Sequence, residues 1–232
     1  MISKYTHIFF DLDRTLWDFR KNSAEALIDI IDKFSFNDFV QNNEEFILKY
    51  NYYNDRLWEY YRSGRIRKSE LKYERFRLLL KDFNIKDHGN LVTEVSNYYM
   101  NIAPAKTSLI ANAMEILKYL SATYPIYIVT NGFYDVQLSK IVNSGISPYI
   151  KKIFSSDRIG YAKPDARIFE HAIKSVNARK DGSVMIGDDE IIDIEGARNA
   201  RIDQIFFNPE GRVPCVSPTY EVRGLIELKK WL

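Results

Sequence analysis

Asp11 and Asp13 stand two residues apart in the run Ile8-Phe9-Phe10-Asp11-Leu12-Asp13-Arg14-Thr15-Leu16, directly after His7 to Phe10, which read as the end of a buried strand. Along a strand that spacing puts both carboxylates on one face, at the carboxyl end where open α/β sheets bind ligands. Like charges held so close repel unless a cation or a shared proton compensates. The same D-x-D-x-T run also suits an acidic turn that caps the next element, so its meaning depends on what the rest of the chain brings.

Three further polar clusters follow short apolar runs. Thr130-Asn131-Gly132 ends one, Lys163-Pro164 lies in the loop after another, and Gly187-Asp188-Asp189 ends a third, with Asp193 beyond. Singly each is ordinary: a turn, a loop, a helix cap. In a parallel sheet, however, all these strand ends share one edge with Asp11 and Asp13. Several carboxylates, one lysine and one hydroxyl on one edge fit a divalent cation beside a phosphate group. Carboxylates are hard oxygen ligands for Mg²⁺, while lysine, a hydroxyl and backbone N–H groups hold phosphate oxygens.

Strands and helices must place these residues. From Ser108 onward they alternate: a helix through Met114, Leu117 and Leu120, the strand Pro125–Val129, a helix over Val136–Val142, the strand Ile153–Ser155, a helix over Ala166–Val176, the strand Ser183–Ile186, a helix over Ile194–Ala200, the strand Gln204–Phe207 and a terminal helix Leu225–Leu232. Such alternation predicts an α/β fold, a doubly wound parallel sheet covered on both faces. Between Thr15 and Pro104 the periodicity is helical only. One helix carries Ala24, Leu27, Ile28 and Ile31 with Asn22 or Ser23 as its cap, a second covers Asn43–Tyr61, a third starts after Ser69, and a fourth covers Leu91–Met100. The expected organisation is a core of residues 1–15 and 104–232 with an all-helical insertion of residues 16–103 after the first strand.

Bulk properties narrow the function. A chain of 232 residues with a net charge of +2 gives no electrostatic case for a nucleic-acid polymer. No apolar run approaches the roughly 18 residues of a membrane span. Cys215 is the only cysteine, which excludes an intramolecular disulfide, and no Cys/His cluster suggests zinc. With no charged-then-apolar leader at its start, the chain is expected in a reducing cytoplasm.

In these residues the chain resembles the haloacid dehalogenase-like hydrolase superfamily over essentially its whole length. Asp11-Leu12-Asp13-Arg14-Thr15 is similar to its first motif, Thr130-Asn131-Gly132 to its second, Lys163 to its third, and Gly187-Asp188-Asp189 through Asp193 to its fourth. The helical insertion resembles the type 1 cap. The resemblance implies that Asp11 is the nucleophile and forms an aspartyl-phosphate, that Asp13 serves as acid and then base, and that Thr130, Asn131, Gly132 and Lys163 hold the phosphoryl group. It implies Mg²⁺ as cofactor, bound by the Asp11 and Asp188 carboxylates and the Asp13 backbone carbonyl, with Asp193 orienting Lys163 or a metal-bound water. Asp189 stands where many relatives carry Ser or Thr. The dehalogenases lack an acid at the place of Asp13, because a departing halide needs no proton. A phosphoester does need one.

The run from Asp11 to Phe19 with Asn22-Ser23, together with Trp58, Gly64 and Arg75-Phe76, resembles the bacterial pyrimidine 5′-nucleotidases, although Arg14 departs from the His that many of them carry. The expected substrate is a small phosphorylated metabolite, first a nucleoside 5′-monophosphate, with Trp17 and Arg75 as contacts. Sugar phosphates, phosphoglycolate and a phosphomutase reaction are the alternatives within the superfamily, and a non-catalytic binding protein built on this fold is the alternative to an enzyme. Between Arg56 and Lys81 nine basic residues face only Glu59, Glu70 and Glu74, which suits a lid over an anionic substrate or an ordinary solvated helix face. Tyr52, Tyr53, Tyr60 and Tyr61 offer rings for a base or packing between helices.

Overall fold

β1 (His7–Phe10) sits in the middle of a six-stranded sheet, and its side chains alternate between two hydrophobic cores. The computed structural model describes residues 4–232. β2 (Ile126–Thr130) and β4 (Ser183–Gly187) flank β1, β3 (Ile150–Ser155) lies outside β2, and β5 (Asp203–Phe207) and β6 (Tyr220–Val222) lie outside β4. All five pairings are parallel. The order β3-β2-β1-β4-β5-β6 reverses direction between β1 and β4, the crevice where such sheets place ligands. β6 stands outside the sequence expectation, because Tyr220-Glu221-Val222 is too short a run to mark a strand.

The chain folds as two compact units, residues up to Phe19 with Thr107–Leu232, and Arg20–Lys106. The second unit holds four helices, α1 (Phe19–Lys33), α2 (Asn43–Arg62), α3 (Lys68–Asp82) and α4 (Leu91–Ile102). Leu27, Ile30 and Ile31 of α1, Phe46 and Tyr50 of α2, Phe76 and Leu79 of α3, and Val95 and Tyr99 of α4 form its core. α1 begins at Phe19, ahead of the expected cap, so Asn22 and Ser23 are buried inside it and the Ser23 hydroxyl bonds to that of Tyr99 at 2.9 Å. α2 is capped by Asn42, whose side chain accepts from the Glu44 N–H at 2.8 Å.

In the first unit α5 (Ala113–Ser121), α6 (Tyr134–Asn143), α7 (Ser156–Ile159), α8 (Ala166–Ser175) and α9 (Gly196–Asn199) cover the sheet. Ile8, Phe10, Ile126, Ile128, Val184 and Ile186 meet α5 and Ile141 of α6, while Phe9, Tyr127, Val129 and Met185 meet α8 and Ala197 of α9. The result is a three-layer α/β/α sandwich. The single helix expected over Ile194–Ala200 is instead a π-helical stretch, Glu190–Glu195, followed by α9, and the terminal helix is a 3₁₀ segment, Leu225–Lys230. At the neck of the helical insertion Trp17 pairs antiparallel with Leu109, with Asp18 N donating to Ser108 O at 3.0 Å and Ile110 N to Leu16 O at 2.9 Å.

Candidate active site

β1 ends at Phe10, one residue before Asp11, whose N–H still donates to Ile186 O of β4 at 2.9 Å. Beyond it the chain turns sharply: Leu16 N and Trp17 N both donate to Leu12 O, and Arg14 takes a left-handed φ of 68°. Strand alternation therefore stops before Asp13. The two carboxylates expected on one strand face instead have separate partners, because the loop and not the pleat aims Asp13.

Asp11 is buried, and its Oδ1 accepts from Lys163 Nζ at 2.6 Å. The same ammonium donates to Asp193 Oδ1 at 2.6 Å, and Lys163 itself is only 1% exposed. Burial alone would lower the Lys163 value, but Asp11 and Asp193 on either side hold it well above the ordinary lysine value. The loop that carries Lys163 is fixed by Asn131, whose Oδ1 accepts from Lys163 N at 2.8 Å and whose Nδ2 donates to Lys163 O at 2.9 Å. Asn131 thus positions the lysine through its backbone.

Asp188 follows β4, and its Oδ1 accepts from the fully buried Thr15 hydroxyl at 3.0 Å. Asp189 turns away: its Oδ1 accepts from Ile191 N and Ile192 N at 3.0 and 2.8 Å and so caps the π-helical stretch. Asp193 also accepts from Asp189 N, at 3.1 Å, and a Cβ on Gly187 would lie 2.3 Å from its Oδ2. Only glycine lets this carboxylate press against the end of β4.

Carboxylate oxygens of Asp11, Asp188 and Asp193 lie within 4.8 Å of one another. Burial first, with neighbouring carboxylates adding to it and Lys163 and the Thr15 hydroxyl opposing it, pushes the Asp11 and Asp188 carboxyls up to about 7. Ionised, three carboxylates against the single Lys163 ammonium leave two formal negative charges, which is the charge a divalent cation would balance. Oxygen-only donors on a rigid strand edge suit Mg²⁺. Asp11 and Asp188 have carboxylate oxygens left for an ion, whereas Asp193 already spends its two on Lys163 and Asp189 N.

Asp13 lies across from α6. Lys140 Nζ donates to its Oδ1 at 2.6 Å and Gln137 Nε2 to its Oδ2 at 2.8 Å. The Gln137 amide also donates to Thr130 Oγ1 at 2.8 Å, and Gly132 N donates to that same oxygen at 3.0 Å. Gly132 leaves room for the glutamine: a Cβ there would meet the Gln137 Cδ at 2.5 Å.

Of the residues expected at the substrate, Trp17 is 1% exposed and packs in the core, with Lys140 Nζ 4.4 Å above its ring. Arg75 is 5% exposed inside the helical unit. It donates to Asn54 Oδ1 at 3.2 Å and Met100 Sδ at 3.0 Å, and lies over the Tyr99 ring at 4.9 Å. Part of the basic stretch is neutralised locally, Arg77 by Glu74 and Arg65 by Glu59, and Arg56 donates to the Tyr52 and Tyr60 hydroxyls.

The motifs give no separate role to Thr15, which lies within the first of them, and do not include Gln137 and Lys140. A signal for the last two existed in α6. Gln137, Lys140 and Ile141 form its buried stripe, with Phe133 buried just before it, whereas Leu138 and Val142 face outward at 40% and 54% exposure. Polar residues on the inner stripe and apolar ones outside reverse ordinary helix patterning and mark a site.

Comparison with known proteins agrees with this geometry. A family model described as haloacid dehalogenase-like hydrolase matches residues 5–201. The HAD-hydrolase YfnB of Bacillus subtilis is 30% identical over 98% of this chain and 95% of its own. A crystal structure of YfnB bound to magnesium matches with a TM-score of 0.87 over 98% of each chain, at 27% identity. The pyrimidine 5′-nucleotidase PynA of Streptococcus pneumoniae is 30% identical over 97% of this chain and 93% of its own. YjjG of Escherichia coli, also a pyrimidine 5′-nucleotidase, is 28% identical over 99% of this chain and 98% of its own. With its family match spanning most of the chain and its motifs on one sheet edge, this protein belongs to the haloacid dehalogenase-like hydrolases and is a hydrolase.

Proposed function

We propose that the protein is a Mg²⁺-dependent phosphomonoesterase that works through an aspartyl-phosphate on Asp11 and acts on nucleoside 5′-monophosphates. The observation that carries this reading is the division of labour between the two acids of the first motif. Asp11 is held by Lys163 beside Asp188, while Asp13 is held separately by α6. A nucleophile and a proton carrier need such separate surroundings.

In this reading an Asp11 oxygen attacks phosphorus and the ester oxygen leaves with a proton from Asp13. Asp13, now a carboxylate, takes a proton from water as that water attacks the acyl phosphate, releasing orthophosphate and restoring Asp11. Lys163 and the Thr130 hydroxyl neutralise and orient the phosphoryl oxygens. Asp11 and Asp188 would hold Mg²⁺ with the Asp13 carbonyl, and the ion would supply charge stabilisation for the equatorial oxygens. Asp193 keeps Lys163 in place. The magnesium reported for YfnB and the activity named for PynA and YjjG support cofactor and substrate class. In this reading Trp17 and Arg75 serve as supports, the first packed beneath Lys140 and the second in the core of the helical unit.

The test is orthophosphate release with Mg²⁺ from UMP, dUMP, dTMP, AMP, phosphoglycolate, hexose phosphates and an aryl phosphate. Preference for pyrimidine monophosphates is the expected result. A preference for a sugar phosphate would leave the chemistry and remove the nucleotide. Asp11→Asn is expected to lower kcat at least about 10³-fold with an unchanged melting temperature, and substantial remaining turnover would mean another nucleophile.

A further inference from the structure

One amide touches both halves of the proposed chemistry. Gln137 is fully buried, and its Nε2 carries two hydrogens, one placed on Asp13 Oδ2 at 2.8 Å and the other on Thr130 Oγ1 at 2.8 Å. Thr130 Oγ1 also accepts from Gly132 N at 3.0 Å. A hydroxyl has two acceptor lone pairs and one hydrogen. With both lone pairs filled by N–H donors, the Thr130 hydrogen has to be given to a third group, and a phosphoryl oxygen is the acceptor that the site invites. On the other side Asp13 receives the second amide hydrogen and, on Oδ1, the ammonium of Lys140 at 2.6 Å. Lys140 is itself 6% exposed and seated over the Trp17 ring at 4.4 Å, so its ammonium has little freedom to leave.

Resting on the phosphoryl-transfer reading above, we propose that Gln137 and Lys140 are positioning residues with distinct duties: Gln137 sets hydrogen-bond direction, making Thr130 a donor to the phosphoryl group, and with Lys140 it locks the Asp13 carboxyl in one orientation. The pair lies one turn apart on α6, so a single helix fixes the anion-binding hydroxyl and the proton carrier together. Neither residue touches substrate. Each acts through its neighbour.

Glutamate at position 137 has the shape of glutamine but only acceptor oxygens. It would claim the Thr130 hydrogen and repel Asp13. Gln137→Glu is therefore expected to weaken orthophosphate binding at least about tenfold, measured by calorimetry with Mg²⁺, and to lower kcat about 100-fold, the scale of a displaced catalytic group. Gln137→Met, which cannot take that hydrogen, is expected to weaken orthophosphate binding less than Gln137→Glu does. Lys140→Met keeps the stem over Trp17 and removes the charge. It is expected to lower kcat about tenfold or more while orthophosphate affinity stays within about threefold of the original, and Lys140→Arg is expected to restore most of the rate. Asp13→Asn, measured beside them, reports on the underlying reading: if it keeps full kcat, proton transfer by Asp13 is wrong whatever the α6 variants do.

Parallel loss of kcat and orthophosphate affinity in Lys140→Met and Gln137→Glu, tracking their melting temperatures, would overturn the proposal in favour of general damage to α6. Unchanged or faster turnover in either variant would overturn it as well. Orthophosphate affinity needs no turnover, so the Thr130 half is decided even if none of the esters tested is a substrate.

Discussion

At the scale of single residues the site is governed by charge that the fold cannot balance alone. The Asp188 carboxyl, pushed up to about 7 by burial and by Asp11, binds its proton more tightly in the folded chain than in the unfolded one. Its contribution to stability is thus present at low pH and is lost as pH rises through about 7. Protons and Mg²⁺ compete for the same oxygens, so the ion should restore at high pH what ionisation removes. The expected outcome is a rise in melting temperature on adding Mg²⁺ that is large at pH 8 and small at pH 5.5. At a hundredfold excess over its Kd the ion stabilises by about 2.7 kcal/mol. Equal shifts at both pH values would argue against an ion on these carboxylates. Asp188→Ala should abolish the pH 8 shift, and a variant that kept it would place the ion elsewhere.

At the scale of elements the strands were legible and the loops were not. The unbroken apolar runs Ile8-Phe9-Phe10 and Ile126-Tyr127-Ile128-Val129 mark strands buried on both faces, and their side chains enter alternately the two cores on either side of the sheet. The turn at Leu12–Trp17 lies beyond the strand, so the spacing of the two carboxylates does not show that Asp13 takes its hydrogen bonds from Gln137 and Lys140 of α6. Short-range order likewise could not show that Asp193 would fold back onto Lys163 or that Glu190–Glu195 would widen into a π-helical stretch. Such bulges gather at functional sites. Gly187 tests this arrangement. Gly187→Ala puts a methyl group against Asp193 and is expected to cost about 1–3 kcal/mol, with a matching fall in activity as the Lys163 contact is lost. A full-activity alanine variant would mean that Asp193 can move without consequence. In the helical unit Arg75→Ala empties a space between Tyr50, Phe76 and Tyr99 and is expected to cost about 2–4 kcal/mol, read as a lowered melting temperature.

At the scale of the whole molecule, the central strand is the first one synthesised. β1 gains its first neighbour only when Ile126–Thr130 has been made, and its second only with Ser183–Gly187. Until then Ile8, Phe9 and Phe10 have no sheet to enter, and an unpaired apolar strand is an aggregation hazard. Once the local contacts of α1–α4 have formed, the two ends of the insertion lie side by side, and the long loop between β1 and β2 is in effect closed before either strand seeks the other. The helical unit, whatever it does for substrate, thereby becomes part of how the sheet is assembled. Phe76→Ala, which weakens that unit alone, should slow the appearance of native sheet in refolding experiments more than it speeds unfolding.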